Sequence, residues 1–229
     1  MTPRPNFDAL APHYRWIEAV TFGPLLQWCR VALLSQMLAA RRALVLGDGN
    51  GRFLAELLVA NPTVIVDALD ISPAMIELAR RRVGSTNRVR FQLADVRLAT
   101  FPPAGYDLVV TNFFLDCFPQ RDLEELIPRL VAALEPGGRW AVADFRLPER
   151  GWPRWAGHAA LAVMYAFFKL ATRLPAGRLV DPDPLFRQCG LTLAHEDSRL
   201  RGFLSARLWA KPTISSFPGS IRSSNGNEG

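Results

Sequence analysis

Three glycines stand at alternate positions in A-L-V-L-G-D-G-N-G, where an apolar run from Ala43 stops and a helical pattern starts at Arg52. Gly47, Gly49 and Gly51 allow a tight turn and a close backbone approach to a ligand, with a helix N-terminus behind it. Asp48 and Asn50 lie inside the same turn. Asp70 ends the next apolar run, 23 positions after Gly47. A carboxylate there can accept hydrogen bonds from two ribose hydroxyls, each contributing about 1.5–3 kcal/mol. Its alternative role is to cap the following helix, a task Ser72 already suits. Asp95 ends a third run, where it could accept from an exocyclic amine such as adenine N6 or simply be a solvated strand-end carboxylate. Asn112 follows a fourth run. The spacing G-x-G-x-G is not the dinucleotide pattern G-x-G-x-x-G, because position 52 is arginine; this argues against NAD or FAD. Strand-to-helix glycine turns also occur for packing alone.

These residues share one edge only if the chain alternates strands and helices. It does. Ala43 to Leu46, Val64 to Leu69, Val89 to Leu93 and Tyr106 to Thr111 are largely apolar strand patterns. Between them, Phe53, Leu54, Leu57 and Leu58 mark one helix face, ending before Asn61-Pro62. Met75, Ile76, Ala79 and Val83 mark another, opened by Ser72 as cap and Pro73 at the first helical position. Leu123, Leu126, Ile127, Leu130, Val131 and Leu134 define a further helix, which Pro128 should kink. Pro136-Gly137-Gly138 is expected to turn into a strand from Arg139 to Phe145. A short helix from Asp183 to Cys189 and two strands, Thr192 to Glu196 and Phe203 to Trp209, close the pattern. Apolar strands with interleaved helices imply a parallel sheet covered on both faces.

The remainder divides into an N-terminal helical segment (1–42), a core domain (43–211) with a helical insert (153–180), and a tail (212–229) rich in Ser, Gly, Asn and Pro that reads as disordered. The chain has 229 residues, 49% hydrophobic and 21% charged, with a net charge of +6. The arginines are scattered. The densest cluster, Arg80 to Arg82, falls at a helix end, where it complements the helix dipole, so no nucleic-acid partner is expected. Cys29, Cys117 and Cys189 are far apart, with no disulfide or metal-ligand spacing. No secretory leader or spanning segment is evident, and the chain reads as cytoplasmic.

The series A-L-V-L-G-D-G-N-G, A-L-D-I-S-P-A-M, L-A-D-V, Y-D-L-V-V-T-N-F-F-L-D and L-E-P-G-G-R resembles the class I S-adenosylmethionine-dependent methyltransferases. It is most similar to the quinone and phospholipid branch. The resemblance covers about residues 40 to 146. It implies an α/β, Rossmann-like, doubly wound sheet of seven strands, mostly parallel with a final antiparallel strand. It also implies S-adenosyl-L-methionine as cofactor, with the glycine turn (Gly47, Asp48, Gly49, Asn50, Gly51) on its methionine part, Asp70 and Ile71 on the ribose, and Asp95 and Val96 on the adenine; Asn112 completes the edge. Two positions depart from the family pattern: Val45 stands where an acidic residue is usual, and Asp116 stands near a usual histidine.

For a hydroxyl acceptor, Asp116 is the leading general base, with His158, Tyr14 and His13 as weaker ones. Trp16, Phe22, Trp28, Trp152, Trp155, Met164, Tyr165 and Phe168 make the segments outside the core aromatic and apolar. They are either core or a pocket for a lipophilic or aromatic small-molecule acceptor met at a membrane surface. The expected function is in-line methyl transfer to such an acceptor. The alternatives are an adenosylmethionine-binding protein without transfer and a short-chain oxidoreductase, the last lacking both its glycine and a Y-x-x-x-K pair.

Overall fold

The computed structural model describes residues 23–146 and 180–213. The N-terminal residues Tyr14 and His13, most of the helical insert with His158, and nearly all of the tail lie outside them.

Seven strands form one sheet in the order β3-β2-β1-β4-β5-β7-β6. They are β1 (Arg42–Leu46), β2 (Ile65–Asp70), β3 (Val89–Leu93), β4 (Tyr106–Asn112), β5 (Leu134–Phe145), β6 (Thr192–Arg199) and β7 (Leu204–Ala210). β1 pairs in parallel with both β2 and β4, and β7 runs antiparallel between β5 and β6. The strand order reverses at β1, so successive crossovers leave it on opposite sides. That opens a crevice at the carboxyl ends of β1 and β4.

Helices cover both faces. Helix α1 (Gly23–Val31) and α2 (Arg52–Ala60) place Cys29, Phe53, Leu54 and Leu57 against Val45, Val66, Leu108 and Ala141. Helices α4 (Gln120–Ala133) and α5 (Asp183–Gln188) place Leu123, Ile127, Leu130 and Phe186 against Leu44, Val109, Trp140 and Trp209 on the other face. Side chains that alternate along each strand therefore enter two separate cores. Helix α3 (Pro73–Val83) starts as its sequence requires: Ser72 Oγ accepts from Met75 N–H at 3.2 Å, and Pro73 occupies the first turn.

Two expectations change. The helical pattern before residue 42 is broken: α1 ends at Val31 and a short 3₁₀ turn, Leu34–Gln36, follows. Pro136-Gly137-Gly138 is not a turn before β5 but lies within it. Tyr106 pairs with Leu134 and Leu108 with Arg139, so the extra residues are taken up as an irregularity between those pairs. Gly137 N–H and Gly138 C=O bond to Lys211 instead, and this joins the irregular stretch to the residue after β7.

Gly51 has a packing reason of its own. It sits at φ +77°, and a Cβ there would lie 2.7 Å from Ala79 Cα in α3. Gly49, at φ +60°, would meet only Met75 Sδ at 3.8 Å. Gly51→Ala is therefore expected to destabilise by about 2–4 kcal/mol, from left-handed strain plus overpacking, and Gly49→Ala by about 1 kcal/mol from strain alone. Urea unfolding of the two variants checks the order.

Candidate active site at the carboxyl edge of the sheet

The predicted polar residues do gather at one edge. Gly47, Gly49 and Gly51 all have positive φ, and Gly47 N–H donates to Leu69 C=O at 2.9 Å, tying the turn to β2. Asp70 and the half-buried Ile71 follow β2 next to it, Asp95 and Val96 follow β3, and buried Asn112 ends β4.

Several of these side chains have local partners. Asp48 accepts from Phe53 and Leu54 N–H at 3.3 and 2.9 Å, so it caps α2. It thereby satisfies helix donors that would otherwise be orphaned. Asn50 accepts from Arg82 at 3.0 Å through Oδ1, while its buried Nδ2 has no partner. Asp70 accepts from Ser72 N–H at 2.9 Å, so it shapes the turn into α3 as well as facing the edge. Asp95 is gripped by Arg97, whose backbone N–H, Nε and Nη2 all reach its carboxylate. Arg97 pairs in turn with Asp122 of α4, and Arg129 of α4 donates to the carbonyls of Val96, Arg97 and Ala99. The loop after β3 is thus held in shape by two arginines bonded across it.

Phe114, after β4, lies over the glycine turn: a Cβ on Gly47 would fall 2.2 Å from its ring. Arg30, buried at the end of α1, stacks over Phe113 with its guanidinium carbon 5.3 Å from the ring centre. Arg30 also acts electrostatically on Asp48. Burial nevertheless outweighs it: desolvation, opposed by the two helix N–H bonds and by Arg30, leaves the Asp48 carboxyl raised to about 6.

Asp116 sits in a 3₁₀ turn, Leu115–Cys117, just beyond β4 and is 8% exposed. Burial raises its carboxyl to about 6 as well. Within its electrostatic reach lies a residue that sequence reasoning missed, Asp144, 3% exposed at the end of β5. Beyond Asp144, Arg207 of β7 is fully buried against Asp183 of α5, and Arg146 joins the same carboxylate at 3.3 Å. A signal was present: Asp144 and Arg207 are charged residues inside W-A-V-A-D-F and L-S-A-R-L-W, runs otherwise apolar enough to be core. A charge in such a run needs a partner or a function. Tyr14 and His158 lie outside the described residues.

The backbone cradle is free of side chains at Gly49, and Asn112 Nδ2 is a buried donor without an acceptor. With Asp70 at the end of β2 these fit a ligand carrying a nucleoside diol and a polar tail. The fold is a Rossmann-like domain with its polar strand ends gathered at one edge. Residues 43–138 match the family model described as a methyltransferase domain. Demethylmenaquinone methyltransferase of Thermus thermophilus is 33% identical over 148 residues, 63% of this chain and 66% of that protein. The ubiquinone/menaquinone biosynthesis C-methyltransferase UbiE of Ectopseudomonas mendocina is 27% identical over 77% of this chain and 68% of that protein. Against the demethylmenaquinone methyltransferases of Thermus thermophilus and Deinococcus radiodurans, the matched region spans 66% and 61% of the relative's length. In structure, the S-adenosylmethionine-dependent methyltransferase SibL superposes with a TM-score of 0.67 at 23% identity, covering 93% of this chain and 63% of that one. The fold is that of the S-adenosylmethionine-dependent, Rossmann-like methyltransferases.

A carboxyl raised on folding makes stability depend on pH. The unfolded Asp48 ionises near 3.8 and the folded one near 6. The folded state therefore keeps a proton that the unfolded state has lost, and stability contributed below pH 3.8 is given up as pH rises to about 6. The Tm is expected to fall across this window in wild type. In Asp48→Asn, whose side chain can still cap through its oxygen, the fall is expected to be smaller. Thermal unfolding at a series of pH values measures the difference.

Proposed function

We propose that the protein transfers a methyl group from S-adenosyl-L-methionine to a small lipophilic or aromatic acceptor. The observation that carries this reading is the joint placement of Asp70, Asp95, Val96 and Asn112 along the carboxyl edge of a sheet whose residues 43–138 match a methyltransferase domain. In this reading the glycine turn, Gly47 to Gly51, receives the methionine part. Asp70 and Ile71 face the ribose, Asp95 and Val96 face the adenine, and Asn112 donates toward the reacting end. The cofactor supplies a methyl group already activated on a sulfonium. The chain's own residues align the nucleophile along the line of displacement and keep water out. Asp116 stands where it can take a proton from an acceptor.

The named acceptors of the quinone relatives and the aromatic segments flanking the core support an apolar acceptor. Among the described residues no helix is long and apolar enough to cross a membrane. Our reading is a cytoplasmic protein that meets its acceptor at a membrane surface. A second reading, cofactor binding without transfer, draws on Asp48: with Val45 in the usual acidic position, the nearest carboxylate is already engaged as a helix cap.

Calorimetric titration separates the possibilities. S-adenosylmethionine is expected to bind wild type and NAD is not. Asp70→Ala is expected to weaken binding about 10- to 100-fold, the loss of one or two hydrogen bonds to a charged group. Preference for NAD, or unchanged affinity in the variant, overturns the reading. Formation of S-adenosylhomocysteine with quinol or aromatic acceptors, but not with polar metabolites, distinguishes transfer from binding alone.

A further inference from the structure

In the methyl-transfer reading Asp95 faces the base of the cofactor. Three donors of Arg97 converge on its carboxylate. The backbone N–H reaches Oδ1 at 3.0 Å, Nε reaches Oδ1 at 3.0 Å and Oδ2 at 3.2 Å, and Nη2 reaches Oδ2 at 2.7 Å. A guanidinium fork of this kind fixes a carboxylate in both position and plane. The Asp95 side chain is 9% exposed and that of Arg97 20%, so water competes weakly for either group.

The surroundings hold the fork in turn. Asp122 Oδ2 of α4 lies 3.7 Å from Arg97 Nη1. Arg129 Nη1 donates to the Arg97 C=O at 2.8 Å, and its Nη2 reaches the carbonyls of Val96 and Ala99. Asp95 C=O accepts from Leu98 and Ala99 N–H at 2.9 and 3.0 Å, which closes the turn. Val96 is buried in the core that also holds Ile127 of α4. The turn is tied to the ribose end as well: Ala94 N–H donates to Asp70 C=O at 3.0 Å, and Asp70 is in register with Leu93. The backbones that carry the two carboxylates therefore keep a set spacing along the edge, one carboxylate for a diol and one for a base.

An ionised carboxylate is only an acceptor, whereas a protonated one also donates. Without its clamp, Asp95 could rotate or take up a proton to suit either kind of base. The fork opposes both. Rotation breaks charge-assisted bonds, and protonation removes the charge that a permanently cationic guanidinium faces. What Asp95 presents to a purine is thus fixed as an acceptor. A 6-amino group is a donor and matches it. A 6-oxo group is itself an acceptor, so it would bring two acceptors together with no hydrogen between them.

We propose that Arg97 is a specificity-determining residue for the cofactor: by clamping Asp95 as a fixed acceptor it admits a 6-aminopurine nucleoside and excludes the 6-oxo counterpart. Arg97 acts through Asp95 and is a positioning residue. The inference rests on the methyl-donor reading and deepens it at the base end of the site.

The test compares S-adenosylhomocysteine with S-inosylhomocysteine, its 6-oxo analogue, by calorimetric titration of the full chain. Wild type is expected to favour the adenosine compound by about 10- to 100-fold, the effect of leaving buried polar groups unmet. In Arg97→Ala the preference is expected to fall to within about 3-fold of unity. A merely structural role would instead weaken both compounds alike and leave the ratio as it was. Asp95→Asn, whose amide can turn its NH2 toward the base, is expected to favour the inosine compound. Thermal unfolding checks that each variant folds; where Arg97→Ala does not, Arg97→Gln, which fills the space without the charge, replaces it. Equal binding of the two compounds by wild type, an unchanged ratio in the neutral Arg97 variant, or an unchanged ratio in Asp95→Asn overturns the proposal. Failure of wild type to bind S-adenosylhomocysteine overturns the methyl-donor reading instead.

Discussion

Everything at the site depends on β1 having a parallel neighbour on each side. Leu46, its last residue, is in register with Leu69 of β2 and Thr111 of β4. The residue after each of those partners, Asp70 and Asn112, is thereby brought level with the start of the glycine turn. Because the chain leaves β1 toward β2 and β3 first and only then returns to β4, no crossover covers the gap between them. Polar groups can be placed there without being sealed in a core. The same strands elsewhere are mostly apolar on both faces, and the buried exception in β2, Asp67, is paired with Tyr106 and Arg42.

Placing charge at that edge has an energetic consequence. Asp48, Asp116 and Asp144 all have carboxyls raised chiefly by burial. Against this the fold sets fixed donors: helix N–H groups for Asp48, the Phe145 N–H for Asp144, and the buried Arg207–Asp183 pair further along the same face. Such a pair contributes little net stability when intact but is expensive to break, because one partner left alone is an uncompensated buried charge. The edge is therefore rigid at the cost of stability, a pattern that suits a preorganised site.

The loop after β3 shows the same economy in another form. Asp95 and Arg97 are two residues apart, and their ion pair is extended to Asp122, while Arg129 holds three carbonyls of the loop. Helix α4 thus does two things at once. Its apolar side fills the core with Leu123, Ile127 and Leu130, and its polar residues fix the loop that carries Asp95 and Val96. Pro128 is tolerated inside this helix, which runs on through it.

By itself the sequence determined the alternation of elements, the parallel sheet, the glycine turn and the strand-end series Asp70, Asp95 and Asn112. All of these follow from local periodicity and from residues whose backbone preferences are strong. Ser72 with Pro73, and Gly51 after an apolar run, specify their turns without knowing anything distant. Only the tertiary structure decided what each side chain meets. Asp48 turned back to cap α2, Pro136-Gly137-Gly138 was absorbed into β5, and Asp144 was buried at the end of β5 within the electrostatic reach of Asp116, 28 positions away in the chain. Those outcomes rest on register between strands and on burial. Both are set by pairing across the sheet, which no local pattern of residues encodes.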